Sequence, residues 1–276
     1  MMASPSQRPP GAGSKRASAL FVVEDEDARW FLEDEEVPET ALHDLIIDLL
    51  AQVLRGWIAR EGRDAMVARN LACRWDPQDA RVGMDPDLVL VEPAPPEGES
   101  LVSLRVFDPG HRPPRLAFEV VSPSTAGKDY VNGPLRASRL GVEELWIFDP
   151  TLCGPAETGG PYRLQVFRRS AGADGTVRRV YAGEGPVRSE GLKAWLVTTD
   201  GGGRLRLADD PAGRRLWPTP AEAEAKRADS ESQRAEQEAK RAEHEAKRAE
   251  SAERALAELR ARSSGSASGS GPTRGG

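Results

Sequence analysis

The sequence predicts a domain that mixes helices and strands, of α/β or α+β class, followed by one long charged helix. Three observations support this prediction. Residues 41–61 have the spacing of an amphipathic helix, a series of short apolar segments follows with Gly and Pro between most of them, and residues 219–262 consist mainly of Ala, Glu, Lys and Arg. With 276 residues, the chain is long enough for one large domain or two small ones.

The composition divides the chain into four parts. Residues 1–18 and 263–276 are rich in Pro, Ser and Gly, which predicts a disordered N-terminal tail and a flexible C-terminal tail. Residues 19–218 hold the apolar segments, so the folded domain is expected there. Residues 219–262 are expected to form a helix on their own, as a single helix or as part of a coiled coil.

The folded part begins with its one long helix. Apolar side chains recur at helical spacing between polar residues over 41–61: Leu42, Leu45, Ile46, Leu49, Val53 and Trp57. Short apolar segments then predict strands at 66–74, 88–91, 116–121, 145–148, 162–168, 176–181 and 192–197, with a short helix near 134–140.

The segment at 219–262 carries the sequence EAKRA three times, and its alanines follow a heptad-like spacing. Alanine buries little apolar area, whereas Glu and Lys four residues apart stabilise an isolated helix. A solvated single helix is therefore at least as well supported as a coiled coil. The heptad-like spacing is also compatible with a homodimer in which this helix forms the interface.

The net charge of −6 excludes a protein that coats nucleic acid through bulk positive charge. The charge is uneven, because residues 24–48 contain 11 acidic side chains and one arginine, while the part that carries the apolar segments is mildly basic. A local site that binds one phosphate is compatible with this distribution.

The chain has neither a long apolar segment nor a signal-like N-terminus, so no membrane association is expected and a cytoplasmic location is predicted. Two distant cysteines and three histidines argue against a disulfide framework or a structural zinc site. A serine hydrolase and a P-loop protein are not supported, because neither a GxSxG motif nor a Gly-Lys-Ser/Thr motif is present.

Two carboxylates need an explanation. Asp87 ends the sequence Asp-Pro-Asp directly before the apolar strand 88–91, and Glu119 interrupts the apolar strand 116–121. An unpaired carboxylate inside a strand would cost several kcal/mol, so Glu119 must have a partner. The partner is either a cation of the chain or a divalent metal ion shared with Asp87. The candidate cations are Arg115, Lys128 and Arg136.

The motifs around these carboxylates resemble a known family. They are PD at 86–87, EVVSPST at 119–125, KD at 128–129 and GVEELWIFDP at 141–150, with PET at 38–40, His43, ARNL at 68–71 and a helical tail. This pattern resembles the Uma-type restriction endonucleases, a branch of the PD-(D/E)XK nuclease superfamily, over roughly residues 24–262. The resemblance implies a restriction-endonuclease-like core with a central mixed β-sheet flanked by helices.

The resemblance also implies a function, a metal-dependent endonuclease that hydrolyses DNA phosphodiester bonds. Asp87 and Glu119 would bind Mg²⁺ or Mn²⁺, Glu39 would be an outer metal ligand, and Lys128 would lie near the attacking water. The solvated acidic segment around Glu39 is the alternative explanation of that residue. His43 is expected to be a partly buried core histidine.

The chain departs from the family at its lysine. The superfamily places a lysine two residues after the glutamate, where this chain has Val121, and the Uma-type branch places one four residues after the Asp of the KD pair, where this chain has Gly133. The alternative function is therefore a nuclease fold without catalysis that acts in DNA binding or protein interaction. Arg136, one turn further, offers positive charge but cannot act as a base.

Overall fold

The computed structural model describes residues 40–171 and 175–266. Within these residues the helices are α1 (Ala41–Glu61), α2 (Ala126–Leu140) and α3 (Pro220–Ser266). The strands are β1 (Met66–Arg69), β2 (Ala72–Arg74), β3 (Gly83–Met84), β4 (Leu88–Val91), β5 (Ser103–Arg105), β6 (Leu116–Val120), β7 (Glu144–Phe148), β8 (Leu164–Arg169), β9 (Val177–Gly183), β10 (Val187–Ser189), β11 (Ala194–Thr199) and β12 (Arg204–Ala208).

A six-stranded mixed sheet forms the centre, in the order β1-β4-β6-β7-β8-β9. Strands β6 and β7 are parallel and the other neighbours are antiparallel. Because side chains alternate along a strand, Leu88 and Phe118 face α1, whereas Val89 and Ala117 face α2. The central mixed sheet flanked by helices is thus confirmed.

Helix α1 coincides with the segment that the apolar spacing predicts. The Thr40 hydroxyl accepts a hydrogen bond from the His43 amide at its start, and Gly62 ends it with φ 60°. Ile46, Ile47 and Leu50 are buried against the sheet. Leu45, which the spacing placed on the apolar face, is instead 55% exposed, because the buried face is rotated toward Ile47 and Leu54.

Two elements differ from the prediction. The apolar segment 66–74 is two strands, because Asn70 takes φ 50° and β2 turns into a separate three-stranded sheet, β3-β2-β5. The helix expected near 134–140 begins at Ala126, and Pro134 lies inside it. A further three-stranded sheet, β10-β11-β12, completes this part of the chain.

The chain divides into two units between Thr219 and Pro220. In the second unit, the side chains of α3 from residue 224 to residue 262 are all exposed. Pairs of opposite charge four residues apart line the helix, with the Lys247 Nζ 2.6 Å from the Glu243 Oε1. No helix in the described part of the chain is both long enough and apolar enough to cross a membrane.

Candidate active site

Asp87 and Glu119 meet at one edge of the central sheet. Strand β4 runs antiparallel to β6, so the start of β4 and the end of β6 lie side by side, with Leu88 paired to Phe118. Asp87 directly precedes β4, and Glu119 is the last but one residue of β6. Residues 32 positions apart in the sequence thereby become neighbours.

Hydrogen bonds hold the two acidic residues against each other's strands. The Asp87 amide donates to Glu119 Oε2 at 3.3 Å, and the Val120 amide donates to Asp87 Oδ2 at 2.6 Å. Each carboxylate therefore uses one oxygen within the fold. Among the described residues, Asp87 Oδ1 and Glu119 Oε1 accept no hydrogen bond.

Glu119 lies in an environment that disfavours its charged form. Its side chain falls on the α2 side of the sheet, between Ala117 and Val121. Burial raises the pKa of Glu119 well above its ordinary value, and the negative charges of Asp87 and Asp129 raise it further. The Lys128 ammonium and the Asp87 amide act in the opposite direction.

Helix α2 adds Lys128 and a third carboxylate, Asp129. The Lys128 Nζ lies 3.9 Å from Asp129 Oδ1, and about a fifth of its side chain remains exposed (21%). Burial raises the pKa of Asp129 to about 6, while Lys128 and the Thr125 hydroxyl, which donates to Asp129 Oδ2 at 2.5 Å, lower it. Asp129 belongs to the KD motif, but its burial beside Glu119 could not be seen from the sequence.

The next turn of α2 holds Gly133, the position at which the resemblance implies a lysine. Gly133 is buried, and a Cβ there would lie 3.8 Å from the Ile147 Cδ1, an ordinary van der Waals distance. Ile147 is paired in register with Glu119 on the adjacent strand. One turn later Arg136 is 3% exposed, and burial lowers its pKa while Glu119, Asp129 and Asp85 raise it. Position 133 is thus close to the carboxylates but carries no side chain.

His43 approaches the same sheet edge from α1, on the opposite face of the sheet. Its Nε2 lies 3.2 Å from Asp87 Oδ2 and 3.1 Å from the Val120 carbonyl oxygen. The ring is 6% exposed, so the expected core histidine is buried as the sequence suggested. No pattern in the sequence predicts its contact with Asp87.

Two neighbouring ionic residues have other partners. The Arg74 guanidinium binds Asp85 at 2.5 Å, so the two aspartates of the Asp-Pro-Asp motif have different roles. Arg115 was one of the cations expected beside Glu119, but it pairs with Glu92 and donates to the Gly191 carbonyl. Of the candidate partners of Glu119, Arg115 is therefore excluded, because it precedes β6 and binds groups at the other end of that strand.

The donor set is compatible with a single hard cation. No three His, Cys, Asp or Glu side chains form a metal-binding group within residues 40–171 and 175–266. Mg²⁺, however, is commonly held by one or two carboxylates, with water and substrate phosphate at its other positions. Asp87 and Glu119 offer two such oxygens, and a cation would relieve the repulsion that raises the pKa of Glu119. Glu39, the expected outer ligand, lies outside the described residues.

A family model described as "Putative restriction endonuclease", named Uma2, matches residues 24–198. The chain belongs to the Uma2 family. The match spans α1, the central sheet and α2, and therefore every residue of the candidate site, so the resemblance noted from the motifs is confirmed. A comparison with curated proteins gives no match.

One solved structure similar to this Uma2 chain is a crystal structure titled as a putative nuclease belonging to DUF820 from Anabaena variabilis ATCC 29413. The sequences are 15% identical, the TM-score is 0.38, and the similarity covers 57% of this chain and 76% of that chain.

Proposed function

We propose that this Uma2 chain is a metal-dependent endonuclease that hydrolyses DNA phosphodiester bonds. The observation that carries the proposal is the convergence of Asp87 and Glu119 at one sheet edge, each with one oxygen that accepts no hydrogen bond from the described residues. Membership of a family described as restriction endonucleases supports the same function. DNA is the proposed substrate, and Mg²⁺ or Mn²⁺ is the proposed cofactor.

Each residue of the site would have a defined task. Asp87 and Glu119 would hold the cation, which when bound supplies charge neutralisation at the scissile phosphate and acidifies a water molecule. The Lys128 ammonium would orient the attacking water or bind a phosphate oxygen, because it is partly exposed and lies on the Glu119 side of the sheet. Asp129 would hold Lys128 near this position.

A second candidate function is favoured by one observation. Gly133 and Val121 leave both positions of the family's lysine without an amine. A nuclease fold that binds DNA or a protein partner without cleaving it would have this arrangement. The distinction depends on whether Lys128 alone supplies the missing positive charge.

Three further expectations belong to the same proposal. Glu39 would be an outer metal ligand, the protein would act in the cytoplasm, and α3 would be the candidate interface of a homodimer. The mildly basic character of the chain outside 24–48 and α3 is compatible with a phosphate-binding site.

The test is cleavage of supercoiled plasmid by the purified full-length protein with Mg²⁺, Mn²⁺ or EDTA. We expect nicked and linear products that disappear with EDTA and in Asp87→Ala and Glu119→Gln. Lys128→Ala should reduce the rate without abolishing metal binding. Asp85→Asn is the matched control, because it removes a neighbouring carboxylate that binds Arg74 rather than facing Glu119.

The outcomes separate the two functions. Cleavage that survives both EDTA and Asp87→Ala would come from a contaminant or from another site, and the proposed site would be wrong. A folded wild-type protein that shifts DNA in a gel but leaves the plasmid intact with both metals would support the noncatalytic alternative.

A further inference from the structure

We infer that His43 is a positioning residue, which fixes one carboxylate oxygen of Asp87 and the end of β6 so that the other Asp87 oxygen faces the cation. The inference rests on the proposed function and assigns a task to a residue that the sequence indicates only as a core histidine. His43 comes from α1, the helix on the face of the sheet opposite Lys128 and Asp129.

Three contacts among His43, Asp87 and Val120 carry the inference. His43 Nε2 lies 3.2 Å from this oxygen, and the Val120 amide donates to the same oxygen at 2.6 Å. His43 Nε2 also lies 3.1 Å from the Val120 carbonyl oxygen. The imidazole thus contacts both the carboxylate and the peptide backbone that follows Glu119, and ties the two strand ends together.

The partners determine which nitrogen carries the proton. A carbonyl oxygen can only accept, so the hydrogen bond to Val120 makes His43 Nε2 the donor, and Asp87 Oδ2 lies 3.2 Å from the same nitrogen. A protonated Nε2 has no lone pair to bind a metal or to accept a proton from water. His43 therefore acts through Asp87 and does not touch the substrate.

The scaffold of His43 is rigid, as a positioning role requires. Its backbone amide donates to the Thr40 hydroxyl at the start of α1, at 3.2 Å. The following turn is anchored by Ile46, Ile47 and Leu50, each buried in the core against the sheet. The residue is 6% exposed, so its contact with Asp87 is largely shielded from water. Outer hydrogen bonds of this kind orient metal ligands, and their loss weakens metal binding.

Another histidine provides a matched control. His111, in the loop before β6, is 5% exposed, close to the value of His43, and its Nε2 lies 3.0 Å from Glu97 Oε2. It makes a comparable histidine–carboxylate contact with a residue outside the candidate site. A general effect of removing a buried histidine should appear equally in both variants.

The first experiment measures Mn²⁺ affinity by titration calorimetry on the full-length chain. His43→Ala should bind Mn²⁺ about 10- to 100-fold more weakly than wild type. His43→Gln should recover most of this loss, because its amide donates from a position similar to Nε2, and His111→Gln should match wild type. Thermal unfolding confirms that each variant is folded. Wild-type affinity in His43→Ala, or no recovery in His43→Gln, would overturn the inference.

The second experiment needs no metal, so its failure is distinct from a failure of the proposed function. The chain has 3 histidines, and ¹⁵N-labelled histidine spectra in EDTA identify the tautomer of each. His43 should be the Nε2-protonated tautomer, and Asp87→Ala should shift its Nε2 signal but not that of His111. The positioning role would be refuted by an Nδ1-protonated His43, or by a His43 Nε2 chemical shift that is unchanged in Asp87→Ala, even if the protein cleaves DNA.

Discussion

Gly133→Lys tests whether the missing amine limits the activity of this site. Gly133 lies on the buried face of α2, and the path of a new side chain starts 3.8 Å from Ile147 Cδ1, beside the strand that carries Glu119. Gly133 directly precedes Pro134, which disfavours the helical conformation of a preceding residue with a side chain, and this offsets the gain of about 1 kcal/mol from replacing a helical glycine. Folding of the variant therefore depends on the open space around the new Cβ. We therefore expect the variant to fold and to place an ammonium near the carboxylates.

The expected gain follows from electrostatics. Two unit charges about 4 Å apart interact by about 4 kcal/mol at an effective dielectric constant of about 20, which corresponds to almost three powers of ten in rate. The site is partly open at Lys128, and only part of the charge develops in the transition state, so we expect a gain of about 10- to 100-fold in plasmid cleavage with Mg²⁺.

The assay needs two matched variants. Gly133→Met has a similar length and helix propensity but no charge, and Gly133→Lys combined with Asp87→Ala removes the proposed metal ligand. Equal rates for folded Gly133→Lys and Gly133→Met would refute the argument that an amine at this position assists cleavage. Activity that persists in the double variant would refute the assignment of Asp87.

Four further predictions concern stability and assembly. The pKa of Asp129 is raised from 3.8 to about 6, so the folded state retains a proton that the unfolded state loses, and the free energy of unfolding should fall as pH rises through this interval. In urea unfolding with EDTA, Asp129→Asn should remove up to about 3 kcal/mol of that fall. An unchanged pH dependence in this variant would contradict the prediction. Mn²⁺ at about 100 times its Kd should stabilise the wild type by about 2.7 kcal/mol, but not Asp87→Ala, in thermal unfolding. Trp217→Ala removes a ring stacked 5.9 Å from Trp57 and should cost about 3–5 kcal/mol in urea unfolding, while a loss below 1 kcal/mol would show that the stack is dispensable. Truncation after Thr219 should convert a dimer into a monomer by light scattering, and a monomeric full-length chain would exclude α3 as a dimer interface.

Elements with a helical period, a continuous apolar segment or a biased composition could be predicted, and very short strands could not. The apolar spacing and Thr40 define α1, because a helix that packs on one face must repeat its apolar residues every three or four positions. Strands β2, β3 and β5 have two or three residues each, too few to show a period. The start of α2 was missed because Gly127, Gly133 and Pro134 all disfavour a helix, and its packing against the sheet outweighs them.

The same limit applies to the candidate site. Burial of a carboxylate without a partner is too costly, so a carboxylate inside an apolar strand indicates a paired or metal-binding residue. The sequence therefore identifies Glu119 as a candidate site residue. The partner could not be chosen among Arg115, Lys128 and Arg136, because the sequence does not say which direction a long side chain takes. His43 had the pattern of a core residue, and only its 3.2 Å contact with Asp87 shows another task.

The sequence by itself determined the family, the strand that carries Glu119 and the departure at Gly133, because each depends on residue type and local spacing. The tertiary structure decided what meets at the sheet edge. Antiparallel pairing of β4 with β6 brings Asp87 to Glu119, and the two helices on opposite faces bring His43 and Lys128 to the same place. These contacts join residues far apart in the chain, and no local pattern records them.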